Sequence, residues 1–153
     1  MPPSTWPSPS PIRSAMSVPV SVKYLGDLRC EAIHGPSQAK LNTDAPVDNQ
    51  GKGASFSPTD LVATAAATCM ATTMAIVANR HGLDLTGIEI KITKEMTTEG
   101  PRRIARLPAE IWMPIASTHP QRATLENAAR ACPVHQSIHP DIEKPITFHW
   151  KDA

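Results

Sequence analysis

The sequence predicts an α+β fold, and three observations carry that reading. Runs with apolar residues at every second position open the chain, recur in its middle and close it. A single uncharged stretch of small and aliphatic residues, 61–78, is far too long for a strand and has the composition of a helix. The strand-like runs meet through short turns rather than alternating one by one with helices, the pattern of antiparallel sheets with helices segregated beside them. The predicted order is β-β-β-α-β-β-α-α-β. A chain of 153 residues suits one domain. At that size roughly 68–70% of the unfolded surface is buried on folding, so neither disulfides nor a metal are needed for a core.

Before the first strand, Pro2, Pro3, Pro7, Pro9 and Pro11 alternate with Ser4, Ser8 and Ser10. Proline removes backbone donors and serine adds little to a core, so residues 1–16 read as a disordered leader and 17–153 as the domain. The leader has no apolar core of the secretory kind. Met16 lies just before the first strand pattern and is an alternative start.

Val18, Val20, Val22 and Tyr24 alternate with polar residues and predict a half-buried strand. Gly26-Asp27 predicts a type II′ turn with Gly at the first central position, and 28–33 the return strand. Gly35-Pro36 is a second turn and 39–43 a short third strand. A meander this thin has one apolar face that something must cover. A loop with Pro46, Gly51 and Gly53 leads to Ser57, a helix cap, followed by Pro58 at the first helical position and Asp60 three residues after the cap. The helix is expected over 58–81, stopped by Gly82, and buried on most sides because it is uncharged. Ile88, Ile90 and Ile92 predict a strand. Glu99-Gly100-Pro101 predicts a turn and 104–113 the return strand, with Pro108 expected at an edge or bulge. Helices are expected over 120–131, with Leu125, Ala128 and Ala129 on one face, and from Pro133 to near His139. Ile146, Phe148 and Trp150 predict the last strand.

Composition narrows function. Net charge is +1 and charged residues are 19%, which excludes an electrostatic nucleic-acid binder and a polybasic membrane patch. The uncharged stretch is near the lower length limit of a membrane span, but its threonines and alanines favour a buried helix of a soluble protein. His135 and His139 are four apart, yet no His-Glu-x-x-His pattern, phosphate loop or dinucleotide fingerprint is present.

The cysteines number three, odd and too few for a disulfide scaffold. Cys30 is in phase with the apolar positions of its strand and reads as a core residue. Cys69 is eleven positions past Pro58, beyond the reach of the helix dipole, which fades within the first turn. A free thiol of pKa about 8.5 is mostly protonated at neutral pH, so a reactive Cys69 needs a cation from elsewhere; otherwise it is a small buried hydrophobe. Cys132 precedes Pro133 at a helix start, where amide N–H groups favour a thiolate; a redox thiol and a plain capping thiol both fit.

Two segments resemble a known family. Ser57-Pro58-Thr59-Asp60-Leu61, followed by a small-residue helix to Cys69-Met70, looks like the central helix of the osmotically inducible / organic hydroperoxide resistance (OsmC/Ohr) family. The run from Leu125 through Ala131-Cys132-Pro133-Val134-His135 resembles its second cysteine motif. The resemblance spans 17–151. It implies an OsmC-like fold, with antiparallel sheets wrapped around a long central helix in an intertwined homodimer. It implies a peroxidatic Cys69 that attacks organic hydroperoxides or hydrogen peroxide, and a Cys132 that resolves the sulfenic acid to a Cys69–Cys132 disulfide. It implies Arg29 as the cation that activates Cys69, and a dithiol reductant such as a lipoyl-carrying protein. No flavin, haem or metal is implied, and the setting is cytoplasmic. One departure stands out. Peroxidases of the family carry Glu immediately after the proline, where it holds the arginine; this chain has Thr59. Two other readings stay open: a non-catalytic protein binding a lipid-like or small ligand, and a thiol-disulfide redox sensor.

Overall fold

The computed structural model describes residues 17–152. The leader predicted over 1–16 lies outside the described residues. The chain divides into two compact units, one ending at Ser55 and one beginning at Phe56.

The N-terminal unit is an antiparallel sheet in the order β1 (Val20–Gly26), β2 (Arg29–His34), β3 (Lys40–Asp44). The first turn differs from the II′ expectation. Its central residues are Asp27 and Leu28, both left-handed at φ 51° and 62°, after Gly26 at φ 89°. Two left-handed central residues match the I′ class, whose twist suits adjoining strands. Leu28 is unusual there, and its amide donates to Tyr24 Oη at 3.3 Å. Cross-strand register places Val22 opposite Ala32, Tyr24 opposite Cys30, Cys30 opposite Thr43 and Ala32 opposite Leu41. Directly paired residues share a face, so one face is apolar. Its Val20, Val22 and Tyr24 are 58%, 66% and 62% exposed. Cys30 is half-buried on this face rather than sealed in a core.

After β3 the chain folds back on itself. The Gly51 amide donates to the Pro46 carbonyl and that of Gly53 to Ala45, around a 3-10 turn at Val47–Asn49. Gly51 lies against the Ala45 carbonyl, where no side chain would fit.

The C-terminal unit is built on α1 (Pro58–Arg80). Its start is as predicted: Ser57 Oγ accepts from the Asp60 amide at 3.1 Å, and the Asp60 carboxylate accepts from the Ser57 amide at 2.8 Å. Its end is sealed by the His81, Gly82 and Leu83 amides returning to the carbonyls of Ala78 and Asn79, with Gly82 at φ 67°. Burial is confined to one stripe, Ala63, Ala66, Met70, Met74 and Ala78, spaced three and four apart. Thr68, Thr72 and Ile76 on the opposite face are exposed, which corrects the expectation of burial on most sides. Among the described residues α1 is the one helix long and apolar enough to cross a membrane by length and composition. Here its buried stripe belongs to the unit's core.

Two sheets pair with it: β4 (Glu89–Ile92), β7 (Ala109–Met113) and β8 (Ile146–Trp150) in the order β4-β7-β8, and a ribbon of β5 (Glu95–Met96) with β6 (Ile104–Arg106). The single strand expected over 104–113 is therefore two, split at Leu107-Pro108. Pro108 is not on an edge, because β7 is the central strand of its sheet. The proline carbonyl instead accepts the Thr93 amide at 3.0 Å, while Leu107 and Ala109 donate to Glu143 and Pro145. β8 runs parallel to β7. The helices α2 (Arg122–Arg130) and α3 (Pro133–Ser137) pack on α1. Leu125, Ala128 and Ala129 face inward as predicted, and with Met70, Met74, Ile111 and Cys132 they form the core.

Candidate functional site

In the C-terminal unit the two motif cysteines come together. Cys69 sits on the fourth turn of α1, half-buried, with its sulfur 4.0 Å from Thr73 Oγ1. Cys132 is fully buried at the head of α3, held there because Pro133 starts that helix and α2 ends just before it. Its sulfur accepts the His135 amide at 3.4 Å. Cys69 packs against the core cluster that contains Cys132, and both thiols are free.

The helix start was expected to favour a thiolate at Cys132. The structure reverses that expectation. Burial pushes the Cys132 thiol up, the His135 amide pulls it down, and the neighbouring Cys69 raises it again; the net shift is upward. The amides of the helix start do not offset removal from water. Cys132 is thus a protonated partner beside Cys69. His135 is held below its ordinary value by burial and by the Lys144 and Arg130 charges, so it is neutral at pH 7. His139 lies past the end of α3 and does not join it. Among the described residues no group of three or more His, Cys, Asp or Glu could hold a metal.

At the head of α1, the position of the missing Glu is occupied differently. Lys94, in the link between β4 and β5, places its Nζ 3.0 Å from Thr59 Oγ1, 3.3 Å from Ser57 Oγ and 2.7 Å from Asp60 Oδ1. Burial raises the Asp60 carboxyl, but the Lys94 and Ser57 donors outweigh it and hold it below the usual range. Lys94 follows a strand pattern that ends at Ile92, and nothing local in the sequence ties it to a helix whose cap, Ser57, lies 37 residues earlier. Beside Thr59 lies an open groove of about 670 Å³ with an apolar floor of Val62, Ile104, Ile138 and Ile142.

Arg29 belongs to the N-terminal unit, at the start of β2 and opposite Asp44 of β3. Its Nε is 3.7 Å from Asp44 Oδ1. Asp44 closes β3, one residue beyond the strand expected over 39–43. It is 1% exposed, and its Oδ2 accepts the Ala54 amide at 3.0 Å. That bond lowers its pKa, burial opposes it, and the Arg29 charge lowers it further.

The comparisons agree with this architecture. The OsmC-like protein family model matches residues 51–144. A candidate osmotic stress induced and detoxification response protein from Psychrobacter arcticus is 41% identical, with a TM-score of 0.81 over 90% of this chain and 99% of that one. The chain belongs to the OsmC-like family. An organic hydroperoxide resistance protein OsmC from Legionella pneumophila (16% identity, TM-score 0.70, 89% and 98% covered) shares the fold. So does the organic hydroperoxide resistance protein OhrB of Bacillus subtilis (15%, 0.65, 88% and 98%). Among curated protein sequences none matches the chain.

Proposed function

We propose that this protein is a thiol-dependent peroxidase acting on organic hydroperoxides or hydrogen peroxide. The observation that carries the reading is that two free thiols, Cys69 on α1 and Cys132 at the head of α3, meet in one packed cluster, near enough for Cys69 to raise the Cys132 thiol. In the first step the Cys69 thiolate attacks the terminal peroxide oxygen. The O–O bond breaks, the alcohol or water leaves with a proton, and Cys69 becomes sulfenic acid. In the second step the Cys132 sulfur attacks that sulfenic sulfur, water leaves and the Cys69–Cys132 disulfide forms. A dithiol, such as a lipoyl-carrying protein, returns both to thiols. Arg29 is the cation that favours the Cys69 thiolate and donates to the peroxide oxygens. A buried, protonated Cys132 suits the resolving role, since it does not compete for the peroxide as a thiolate.

The working species is a homodimer in which a second copy covers the apolar face of the N-terminal sheet. The exposure of Val20, Val22 and Tyr24 supports this, because a three-stranded sheet bare on its apolar face is marginal alone. A thiol pair recycled by a dithiol belongs in a reducing compartment, the cytoplasm.

The test is stoichiometric. One equivalent of cumene hydroperoxide should remove two of the three thiols, and Cys69→Ser should lose none rapidly. Unchanged thiols after prolonged exposure would overturn the reading. The groove beside Thr59 favours a second one, a non-catalytic protein for lipid-like or small ligands. That reading predicts ligand retention through purification, with inert thiols. A redox sensor, in contrast, would oxidise rapidly yet not turn over with excess dithiol.

A further inference from the structure

We infer that Asp44 is the positioning residue for Arg29, taking the place of the carboxylate that Thr59 lacks; this rests on the reading of Arg29 as the cation that serves Cys69. Three observations lead to it. Thr59 cannot hold a guanidinium by charge, and its hydroxyl is already engaged by Lys94 at 3.0 Å. Asp60, the next carboxylate along α1, is likewise taken, by Lys94 at 2.7 Å and by the Ser57 amide. The helix start is therefore closed as a carboxylate donor. Asp44, on the other hand, is 1% exposed and faces Arg29 across a β2–β3 pair.

The two oxygens of Asp44 have separate tasks. Oδ2 accepts the Ala54 amide and so fastens the loop. Oδ1 is buried without a hydrogen-bond partner, and Arg29 Nε stands 3.7 Å from it. A buried carboxylate oxygen left without a donor is costly, and a charge-bearing donor at closing distance is what offsets that cost. Loop fastening alone requires only an acceptor, which Asn supplies; the negative charge is what Arg29 requires. With the β-strand backbone fixing Arg29 at one end and Asp44 fixing Nε at the other, the terminal N–H groups of the guanidinium stay free for a sulfur or a peroxide oxygen.

The experiment measures the second-order rate of Cys69 oxidation by cumene hydroperoxide in the full-length protein. Its variants are Asp44→Asn, Arg29→Gln and the double substitution. Asp44→Asn should slow oxidation by about 100-fold, the scale of a misplaced reacting group. The double variant should be no slower than Arg29→Gln alone, because Asp44 acts through Arg29. A merely structural Asp44 would instead slow the double variant further than Arg29→Gln, and this would overturn the inference. So would an unchanged rate in Asp44→Asn when Arg29→Gln is slow. An unchanged rate in Arg29→Gln sinks the role of Arg29 itself, which is a different failure. Should Asp44→Asn not fold, the wild-type protein supplies the answer by NMR. The Arg29 Nε–H should exchange with water more slowly than those of exposed arginines, and equal exchange contradicts the ion pair.

Discussion

At the residue scale the chemistry depends on how few groups are left unpaired. Lys94 answers Ser57, Thr59 and Asp60 together, so one side chain from a strand link locks the head of α1. Lys94→Met leaves a half-buried carboxylate without its cation and should cost about 1–3 kcal/mol in urea unfolding. A loss near zero would mean that solvent replaces the amine. The Cys132 thiol is the second case. Its folded pKa lies above its ordinary value, so the folded state keeps the proton longer than the unfolded chain. Its contribution is present below the ordinary value and is lost as pH rises through the folded one. Stability should therefore decline on the alkaline side of about pH 9, and Cys132→Ala should flatten that decline in urea midpoints taken across the range. Of these residues, Cys132 was legible because it adjoins Pro133 in a local signature, and Cys69 because it lies in the small-residue helix that Ser57-Pro58 opens. Lys94 and Asp44 were not, since each acts on a partner far away in sequence or beyond a loop.

At the scale of elements, what is local was readable and what is paired at a distance was not. The capping box at Ser57 and the stop at Gly82 are written in four or five consecutive residues, and α1 ends within a residue of its prediction. Replacing Ser57 with Ala should cost about 1 kcal/mol as a cap, and more because Lys94 also loses an acceptor. The break at Leu107-Pro108 and the parallel pairing of β8 escaped because both are set by the segment 143–150, which approaches from the far end of the chain. The same holds for the burial of α1. Its composition reads as apolar all round, whereas the unit covers only one stripe. The loop after β3 carries a sharper expectation. A side chain at Gly51 would strike Ala45, so Gly51→Ala should displace the segment that offers the Ala54 amide to Asp44. Its destabilisation should be about 1–3 kcal/mol, the usual cost of overpacking. A stability equal to wild type would show that the loop yields freely.

At the scale of the whole molecule, the apolar sheet face and the thiol pair make separate claims. If a second copy covers Val20, Val22 and Tyr24, light scattering after size exclusion should give twice the 16.5 kDa chain mass. Val22→Lys should then shift the population toward the single chain; a wild-type protein that runs as a single chain would remove the dimer from the account. The family and fold stand independently of that result, and the proposed pairing of Cys69 with Cys132 is tested separately. The most direct test of that pairing is peptide mapping under non-reducing conditions, after one equivalent of cumene hydroperoxide and quenching with an alkylating agent. One cross-linked species should form, joining the Cys69 and Cys132 peptides, with Cys30 alkylated. A Cys69 that is alkylated intact, or one that is joined to Cys30 instead, would contradict it.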